Sequence, residues 1–162
     1  MYWSYVWKRV FIKRTEDKGI TTNNIHHKLS CKSTCLVYII NDHKCHRTYV
    51  GCTTNFATRW PNHKSHIKKK KSTCELSTHL NDNKFESVHQ IDRSNQASFD
   101  NSLKNCIDVT LIEQVEVSPS DDNSEKLRKC KMREHHWQKE LKCMELTGGF
   151  NRREERAGVF SR

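Results

Sequence analysis

The sequence predicts a small α+β domain in which a few strands and helices share one core. Three observations predict it: two neighbouring strand-like segments joined by polar residues, a later alternating segment, and a long helical stripe near the C-terminal end. The 162 residues suit a single domain. Only 34% of them are hydrophobic, so the core is small, but the 9% aromatic content argues against a disordered chain.

A β-hairpin opens the predicted domain. Residues 36–40 are apolar, branched or aromatic, and residues 48–51 form a second segment of the same kind. Polar residues 41–44 lie between them, as in a turn. Each segment carries one tyrosine, Tyr38 or Tyr49, and tyrosines on strands usually pack with the hydroxyl at the rim of the core.

A helix follows the hairpin, and Thr53 or Thr54 is its predicted N-cap. Its core-facing side is marked by residues at near-helical spacing: Phe56, Trp60, His63 and Ile67. Pro61 lies within this pattern, where a proline removes a backbone donor and costs about 3 kcal/mol. We therefore expect the helix either to kink at Pro61 or to begin close to it.

The remaining elements are less regular. Residues 74–85 predict a second short helix, whereas residues 87–105 have little periodicity and predict a loop. Residues 107–117 alternate and predict a third strand, followed by a polar loop over 118–124. The last helix carries a stripe at spacings of three and four residues: Leu127, Cys130, Glu134, Trp137, Leu141 and Met144.

Glu134 is the one carboxylate in that stripe, where an unpaired buried charge would cost several kcal/mol. Two interpretations account for it. Glu134 pairs with a nearby Arg or Lys or reaches water at the edge of the stripe. Alternatively it is a metal ligand, because Mg²⁺ is commonly held by one or two carboxylates together with water and phosphate oxygens.

The chain is strongly basic: 29 Lys and Arg against 19 Asp and Glu give a formal net charge of +10. This favours a polyanionic partner, and nucleic acid is the commonest one for a small basic domain. The densest cationic run is Lys68, Lys69, Lys70 and Lys71. Either these lysines contact phosphates, or they form a solvated helix end where cations suit the dipole.

No stretch approaches the roughly 20 apolar residues that a membrane span needs, and no signal peptide is evident. We therefore expect no membrane partner and a nuclear or cytoplasmic location, where the eight cysteines are reduced. A competing zinc site is conceivable from Cys31, Cys35, Cys45 and His46, with Cys52 or the His26–His27 pair as substitutes. Their spacing lacks the paired knuckles of a zinc ribbon, so zinc is the less favoured interpretation.

Arg59 and His63 lie four residues apart, on one face of a helix, and could both address one phosphate. Two exposed residues on a basic helix are the more ordinary explanation. The order of the candidates along the chain is much less ordinary: Tyr38, then Tyr49-Val50-Gly51, Arg59, His63, Glu134, and Asn151 after two glycines.

This order resembles the GIY-YIG nuclease family, over about residues 36 to 154. The first signature of the family corresponds to Leu36-Val37-Tyr38, and the second to Tyr49-Val50-Gly51. The segment from Thr48 onward is similar to intron-type homing endonucleases and Penelope-type retroelement nucleases. The resemblance implies a fold with a three-stranded antiparallel sheet flanked by helices. It also implies an enzyme that cleaves DNA phosphodiester bonds with one divalent metal, Mg²⁺ or Mn²⁺.

The resemblance also implies roles for individual residues. Glu134 would hold the metal, and Arg59 would bind the scissile phosphate. Tyr38 would activate the attacking water, with Tyr49 and His63 orienting water and phosphate; His63 as the base is the alternative. Two further positions, Gly51 and Asn151, would support the site.

Two positions depart from the family pattern. Leu36 replaces a glycine, which is tolerated if the strand has no need of a positive φ there. Pro61 would separate the Arg59 and His63 side chains if it broke the helix.

The expected organisation is a basic aromatic arm at 1–34, a nuclease domain at 35–156 with a loop insertion at 87–105, and a tail at 157–162. The arm either packs on the domain or stacks on bases. A catalytically inactive nucleic-acid-binding module of the same fold and an RNA-acting nuclease remain the alternative functions. The sequence does not indicate the oligomeric state.

Overall fold

The computed structural model describes residues 29–30 and 32–143, together with the backbone of two short strands in the arm. These arm strands, β1 (Lys13–Arg14) and β2 (Ile20–Thr21), pair antiparallel with each other. Predictions for the rest of the arm, Met144, Asn151 and the tail lie outside the described residues.

The main sheet has three antiparallel strands in the order β4-β3-β5. The predicted hairpin is formed by β3 (Thr34–Asp42) and β4 (Arg47–Asn55), with Tyr38 opposite Gly51 and Ile40 opposite Tyr49. The third predicted strand is β5 (Ile107–Gln114), which pairs with β3 and ends three residues before the predicted end. The predicted fold, a three-stranded antiparallel sheet flanked by helices, is therefore confirmed.

Strand β3 is central, and its alternation divides the core into two layers. Leu36, Tyr38 and Ile40 face one layer, whereas Val37 and Ile39 face the other. All five residues are fully buried. Leu36 is a fully buried core residue with a negative φ. In this part of β3 the residue with a positive φ is Cys35 (φ 54°). The strand therefore does not require the glycine that Leu36 replaces.

Three helices cover the Tyr38 side of the sheet: α1 (Phe56–Lys68), α2 (Glu75–Leu80) and α4 (Gln96–Cys106). Helix α1 buries Phe56, His63 and Ile67, the face that the sequence predicts. A 3₁₀ turn (Asn83–Phe85) and the short helix α3 (Glu86–His89) connect α2 to α4.

Helix α5 (Asn123–Glu140) covers the opposite side of the sheet. Cys130 and Glu134 are buried on its inner face, and Trp137 is partly buried there. Leu127 was predicted for the same stripe but is 47% exposed, and the buried face of α5 begins at Cys130.

Two local predictions are wrong. The N-cap of α1 is Asn55, whose side chain accepts a hydrogen bond from the Thr58 backbone N–H, because β4 runs on through Thr53 and Thr54. The loop predicted at 87–105 is helical from Gln96, where Asn95 caps α4 through the Ser98 N–H. Helix α4 buries only Phe99, Leu103 and Cys106, and this sparse pattern explains the missed periodicity.

No helix among the described residues has both the length and the apolar character of a membrane span.

Candidate active site

The hydroxyl of Tyr38 is the centre of the candidate site. Tyr38 is fully buried on β3, and its hydroxyl contacts two side chains of α1. His63 Nε2 lies 2.8 Å from the Tyr38 oxygen, and Arg59 Nε donates to the same oxygen at 3.4 Å. The edge of the Phe56 ring packs against Tyr38 at a centroid distance of 5.2 Å and holds the phenol in place.

The hydrogen-bond pattern assigns the proton positions on His63. Arg59 donates to the Tyr38 oxygen, and if His63 Nε2 donated to it as well, the buried phenolic hydrogen would have no acceptor. Nε2 is therefore assigned as the acceptor of the phenolic hydrogen. The ring hydrogen then sits on Nδ1, which faces the Cys74 sulfur at 3.6 Å. Burial and the nearby Arg59 charge lower the pKa of His63 to about 3. His63 is therefore a neutral imidazole at pH 7.

Burial likewise raises the pKa of Tyr38 to about 12, although the Arg59 charge and hydrogen bond oppose the rise. Tyr38 is therefore a neutral phenol at pH 7, with its proton directed at a neutral base. Burial also disfavours the charge on Arg59, but its interactions with Tyr38 and Tyr49 outweigh this effect and raise its pKa. Arg59 is half-buried, and it is the permanent cation of the site.

Tyr49 completes the group from β4, with its ring centroid 6.3 Å from Tyr38 and 6.1 Å from His63. Gly51 lies between the two phenols. A Cβ atom at Gly51 would stand 2.6 Å from the Tyr38 oxygen and 2.7 Å from Cε1 of Tyr49. The glycine is thus required by the close approach of both rings rather than by its backbone conformation.

Pro61 does not separate Arg59 from His63. Helix α1 continues through Pro61 from Phe56 to Lys68, and both side chains reach the Tyr38 hydroxyl. The helix tolerates the proline because the only backbone bond lost is the one to the Ala57 carbonyl, and Ala57 and Pro61 are both exposed to water. The helix therefore does not begin close to Pro61, which was one of the two expectations.

Glu134 lies on the other side of the sheet, at the position of Cys52. The Cys52 thiol donates to Glu134 Oε2 at 3.1 Å, and Lys131 Nζ lies 2.7 Å from the same oxygen. Glu134 is 3% exposed, so the ion pair that the sequence analysis offered as one interpretation does form. Cys52 adjoins Gly51, and the Glu134 charge contributes to the raised pKa of Tyr38.

Two contacts to β5 hold α5 in this position. Arg133 Nε donates to Glu113 Oε1 at 2.7 Å, and Trp137 Nε1 donates to the other oxygen of the same carboxylate. Both residues flank Glu134 in sequence. Glu113 of β5 therefore helps to hold the helix that carries Glu134.

The lysine run lies at the C-terminal end of α1. Lys68 contacts Gln96 Oε1 and the Phe99 ring, and Lys70 pairs with Glu86 at 3.0 Å. Lys69 and Lys71 are exposed. Lys68 stands about 8 Å along the helix axis from His63, five residues at 1.5 Å each. The run is thus a largely solvated helix end that begins about one and a half turns beyond His63.

A second cluster lies where β3 ends, and it consists of Asp42, Cys45, His79 and His89. His89 Nε2 and His79 Nε2 lie 2.7 and 3.0 Å from the same oxygen of Asp42, and Cys45 Sγ lies 3.6 Å from His89 Nε2. One ligand atom from each residue falls within 4.8 Å of the others. Asp42, His79 and His89 are buried, whereas Cys45 is partly exposed.

Burial by itself would raise the pKa of the Asp42 carboxyl. Hydrogen bonds from His79, His89 and the Cys45 backbone N–H outweigh it and hold that pKa far below its ordinary value. Asp42 is therefore an ionised carboxylate surrounded by donors. His89 Nδ1 is buried without a hydrogen-bond partner, so Nε2 is the polar contact of its ring in this cluster.

Only Cys45 of the zinc ligands considered from sequence belongs to this cluster. Cys35 and Cys52 pack in the core under α5, and His46 is exposed. Cys31 and the His26–His27 pair lie outside the described residues. Asp42, His79 and His89 were not predicted, because His79 and His89 lie 34 and 44 residues after Cys45 and no local spacing links them to it. The available signal was the pair Asp42 and Cys45 in one tight turn.

The family comparison agrees with this geometry. Residues 34–107 match the family model described as the GIY-YIG catalytic domain. The match covers the hairpin, the Arg59 and His63 helix and the whole Asp42 cluster, and it ends before α5. No curated protein and no solved structure matches the chain.

Proposed function

We propose, from the premise that the domain at residues 34–107 belongs to the GIY-YIG nuclease family, that this chain is a metal-dependent endonuclease that hydrolyses phosphodiester bonds in DNA. The observation that carries the proposal is the convergence of His63 and Arg59 on the Tyr38 hydroxyl, beside a glycine that permits no side chain. A structural core has no need of a permanent cation and a neutral imidazole on one buried phenol.

Tyr38 and His63 form the proposed proton pathway. Phosphodiester hydrolysis requires a water that loses a proton as it attacks phosphorus. Tyr38 by itself is a poor base, because its pKa is raised to about 12. It can nevertheless accept the water proton on its oxygen while it passes its own proton to His63 Nε2, 2.8 Å away. The neutral state of His63 at pH 7 is the state that this transfer needs.

Arg59 is proposed to bind the scissile phosphate. Its guanidinium is half-buried and interacts with both Tyr38 and Tyr49. A guanidinium carries five N–H donors, so donors remain for phosphate oxygens. Its charge would offset the negative charge that develops in the transition state. Tyr49, whose hydroxyl also interacts with Arg59, would orient the water or the phosphate. Gly51 supports both phenols, and Asn151 is retained as a supporting residue.

Glu134 is the proposed ligand for Mg²⁺ or Mn²⁺. A carboxylate oxygen is the donor that these ions prefer, and Mg²⁺ typically keeps several waters and takes its other ligands from substrate phosphates. The buried carboxylate already attracts a cation, Lys131, which supports its suitability for a metal ion. When bound, such an ion supplies charge neutralisation at the phosphate and the leaving oxygen.

DNA is the proposed substrate, and the basic surface around α1 is its proposed contact. Lys69 and Lys71 are exposed beyond the end of α1, and Lys68 and Lys70 lie beside them. These lysines would neutralise phosphates without reading sequence, so binding should weaken steeply with salt.

The decisive test is cleavage of supercoiled plasmid by the purified chain, with and without Mg²⁺ or Mn²⁺. We expect nicking that needs the metal and that Tyr38→Phe and Glu134→Gln each reduce by at least about a hundredfold. His66→Gln is the matched control for helix α1, because His66 lies one turn from the site and its side chain hydrogen-bonds Thr73 rather than the Tyr38 hydroxyl.

The alternatives predict different results in the same assay. A catalytically inactive binding module gives a salt-sensitive mobility shift without nicking at any metal concentration. An RNA-acting nuclease cleaves structured RNA and leaves the plasmid intact. If the plasmid is cut equally well by wild type and Glu134→Gln, the assignment of the metal to Glu134 is wrong.

We also propose that the Asp42 cluster holds Zn²⁺ in a structural role. It offers one thiol, two imidazoles and one carboxylate, a set that zinc accepts in tetrahedral geometry. The four residues come from the end of β3, the hairpin turn, α2 and α3. A metal bound there would tie the two short helices to the hairpin that carries Tyr38 and Tyr49.

Elemental analysis and thermal denaturation test the zinc proposal. We expect about one zinc per chain, and we expect a strong chelator or Cys45→Ser to remove it and lower Tm. Cys106→Ser is the matched control, since Cys106 contacts the His89 backbone carbonyl but lies outside the cluster. A zinc-free protein with a Tm that the chelator leaves unchanged would contradict the proposal.

A further inference from the structure

The carboxylate of Glu134 is already paired with a cation from its own helix. Lys131 Nζ lies 2.7 Å from Glu134 Oε2, one helical turn away. The Cys52 thiol donates to this same oxygen at 3.1 Å. Oε2 therefore interacts with one charged and one neutral donor.

The two donors differ in how easily they can leave. Cys52 is buried on β4, where its side chain is held in the core under α5, and its thiol donates to Glu134 Oε2. The Lys131 side chain is 34% exposed, whereas that of Glu134 is 4% exposed. A lysine stem can lie along the protein surface while its ammonium moves into water. Lys131 is thus the partner that can be displaced at small cost.

We propose that Lys131 is a built-in competitor of the divalent metal: it neutralises Glu134 in the metal-free chain and must move off Oε2 before Mg²⁺ or Mn²⁺ can bind. The inference rests on the proposed function, which assigns the metal to Glu134. Two cations on one oxygen repel each other, and a buried carboxylate with no cation at all is costly. Lys131 therefore sets the metal concentration at which the site loads, without touching the substrate.

Lys129 provides a matched comparison on the same helix. Its side chain is 31% exposed and its Nζ lies 2.6 Å from Asp121 Oδ2. It equals Lys131 in residue type, exposure and ion pairing, but its partner belongs to the loop before α5. Removing the charge of Lys129 should therefore change the net charge of the protein by the same amount as removing that of Lys131. It should not change the affinity of Glu134 for the metal.

The test measures Mn²⁺ binding to the full chain without DNA, by electron paramagnetic resonance of free Mn²⁺. Subtracting the binding of the corresponding Glu134→Gln protein leaves the Glu134-dependent part, because any Mn²⁺ at the Asp42 cluster cancels. We expect Lys131→Gln and Lys131→Met to tighten this part by about tenfold. Lys131→Arg and Lys129→Met should show no gain.

A second readout does not depend on activity either. Saturating Mn²⁺ should raise the Tm of Lys131→Gln more than that of wild type, because the metal supplies the neutralisation that the variant lacks. Lys131→Gln keeps an N–H donor for Glu134, so it guards against a folding defect in Lys131→Met. Circular dichroism of the metal-free variants checks that α5 is intact.

The possible outcomes separate this inference from the proposed function. Glu134-dependent binding of equal strength in wild type, Lys131→Gln and Lys131→Met overturns the competitor role and leaves the metal assignment standing. Absence of Glu134-dependent binding in all of these proteins overturns the competitor role. The metal assignment is then decided by the plasmid assay with Glu134→Gln, because in that assay substrate phosphates supply the other ligands. Tighter binding in the uncharged variants with no change in Lys129→Met supports the inference.

Discussion

At the scale of single residues, the site depends on one oxygen that performs two tasks. The Tyr38 hydroxyl accepts a hydrogen bond from Arg59 and is assigned as the donor to His63. The Arg59 bond therefore leaves the phenolic hydrogen directed at His63 Nε2. The arrangement requires His63 to stay neutral, and its burial together with the Arg59 charge achieves this. A single substitution at any of the three positions should therefore disturb both remaining groups.

Gly51→Ala should reduce both activity and stability. Its Cβ would stand 2.6 Å from the Tyr38 oxygen and 2.7 Å from a Tyr49 ring carbon, and both rings are buried. We expect a loss of about 1–3 kcal/mol in the free energy of unfolding, as in other overpacked cores. Plasmid nicking should fall by at least about tenfold, because the Tyr38 oxygen is displaced. An unchanged urea midpoint would show that the rings have room to shift.

Arg59→Ala should lower the single-turnover nicking rate by about 10²–10³-fold, because the site loses the cation that faces the phosphate. Arg59→Lys should recover only part of the rate, since an ammonium cannot contact Tyr38 and a phosphate with separate planar donors. Arg128→Ala, on the exposed face of α5, is the control for lost positive charge. A loss of less than about threefold in Arg59→Ala would remove Arg59 from the mechanism.

At the scale of elements, α1 supplies both side chains that contact Tyr38. Asn55 caps its first turn and Phe56 and Ile67 anchor its buried face, so packing rather than propensity holds the helix. Pro61 removes one backbone hydrogen bond from the helix, and the packing of the buried face offsets this loss of stability. The spacing of Arg59 and His63 by one turn survives, and this spacing is what the site needs.

Pro61→Ala should stabilise the chain and leave its activity nearly unchanged. Restoring the N–H at this exposed position should add about 1–3 kcal/mol to the free energy of unfolding. Nicking should stay within about twofold, because Arg59 and His63 already share the Tyr38 hydroxyl. Urea denaturation and the plasmid assay measure the two quantities. A large gain in activity would mean that the proline distorts the site after all.

At the scale of the whole molecule, the proposed site draws on both layers that the sheet separates. Tyr38, Arg59 and His63 belong to the α1 layer, whereas Glu134 belongs to the α5 layer next to Cys52. Glu113 on β5 holds α5 through Arg133 and Trp137, so the far edge of the sheet takes part in placing Glu134. Global stability and site geometry are therefore linked.

Acid should destabilise wild type more than His63→Gln. The pKa of His63 falls from an ordinary 6.5 to about 3 on folding, so the unfolded chain binds its proton first as the pH drops. The stabilising contribution of a neutral His63 is complete above pH 6.5 and declines progressively between 6.5 and about 3. At pH 5 the loss is about 2 kcal/mol.

Urea denaturation at pH 7.5 and pH 5 measures this difference. His46→Asn serves as the histidine control, because His46 is exposed and is not among the groups that lower the His63 pKa. Contributions from the Asp42 cluster are common to all three proteins and cancel in the comparison. Equal pH dependence in wild type and His63→Gln would contradict the neutral state assigned to His63.

Short-range pattern by itself determined the hairpin, the buried face of α1, the third strand and the helix that carries Glu134. These features repeat with the period of a strand or a helix, and that period is written in neighbouring residues. The order of Tyr38, Arg59, His63 and Glu134 likewise pointed to the family. Helix α4 was not predicted, because few of its residues are apolar and its periodicity is weak. The cap at Asn55 was not predicted, because β4 extends further than its composition suggests.

Only the tertiary structure decided which of these side chains meet. Tyr38 and His63 are 25 residues apart, Cys52 and Glu134 are 82 apart, and Asp42 and His89 are 47 apart. Such pairs are set by how the two layers pack on β3, and no local period encodes them. The Lys131 partner of Glu134 and the cluster around Asp42 became visible for the same reason: burial forces polar groups to find partners wherever the fold brings them.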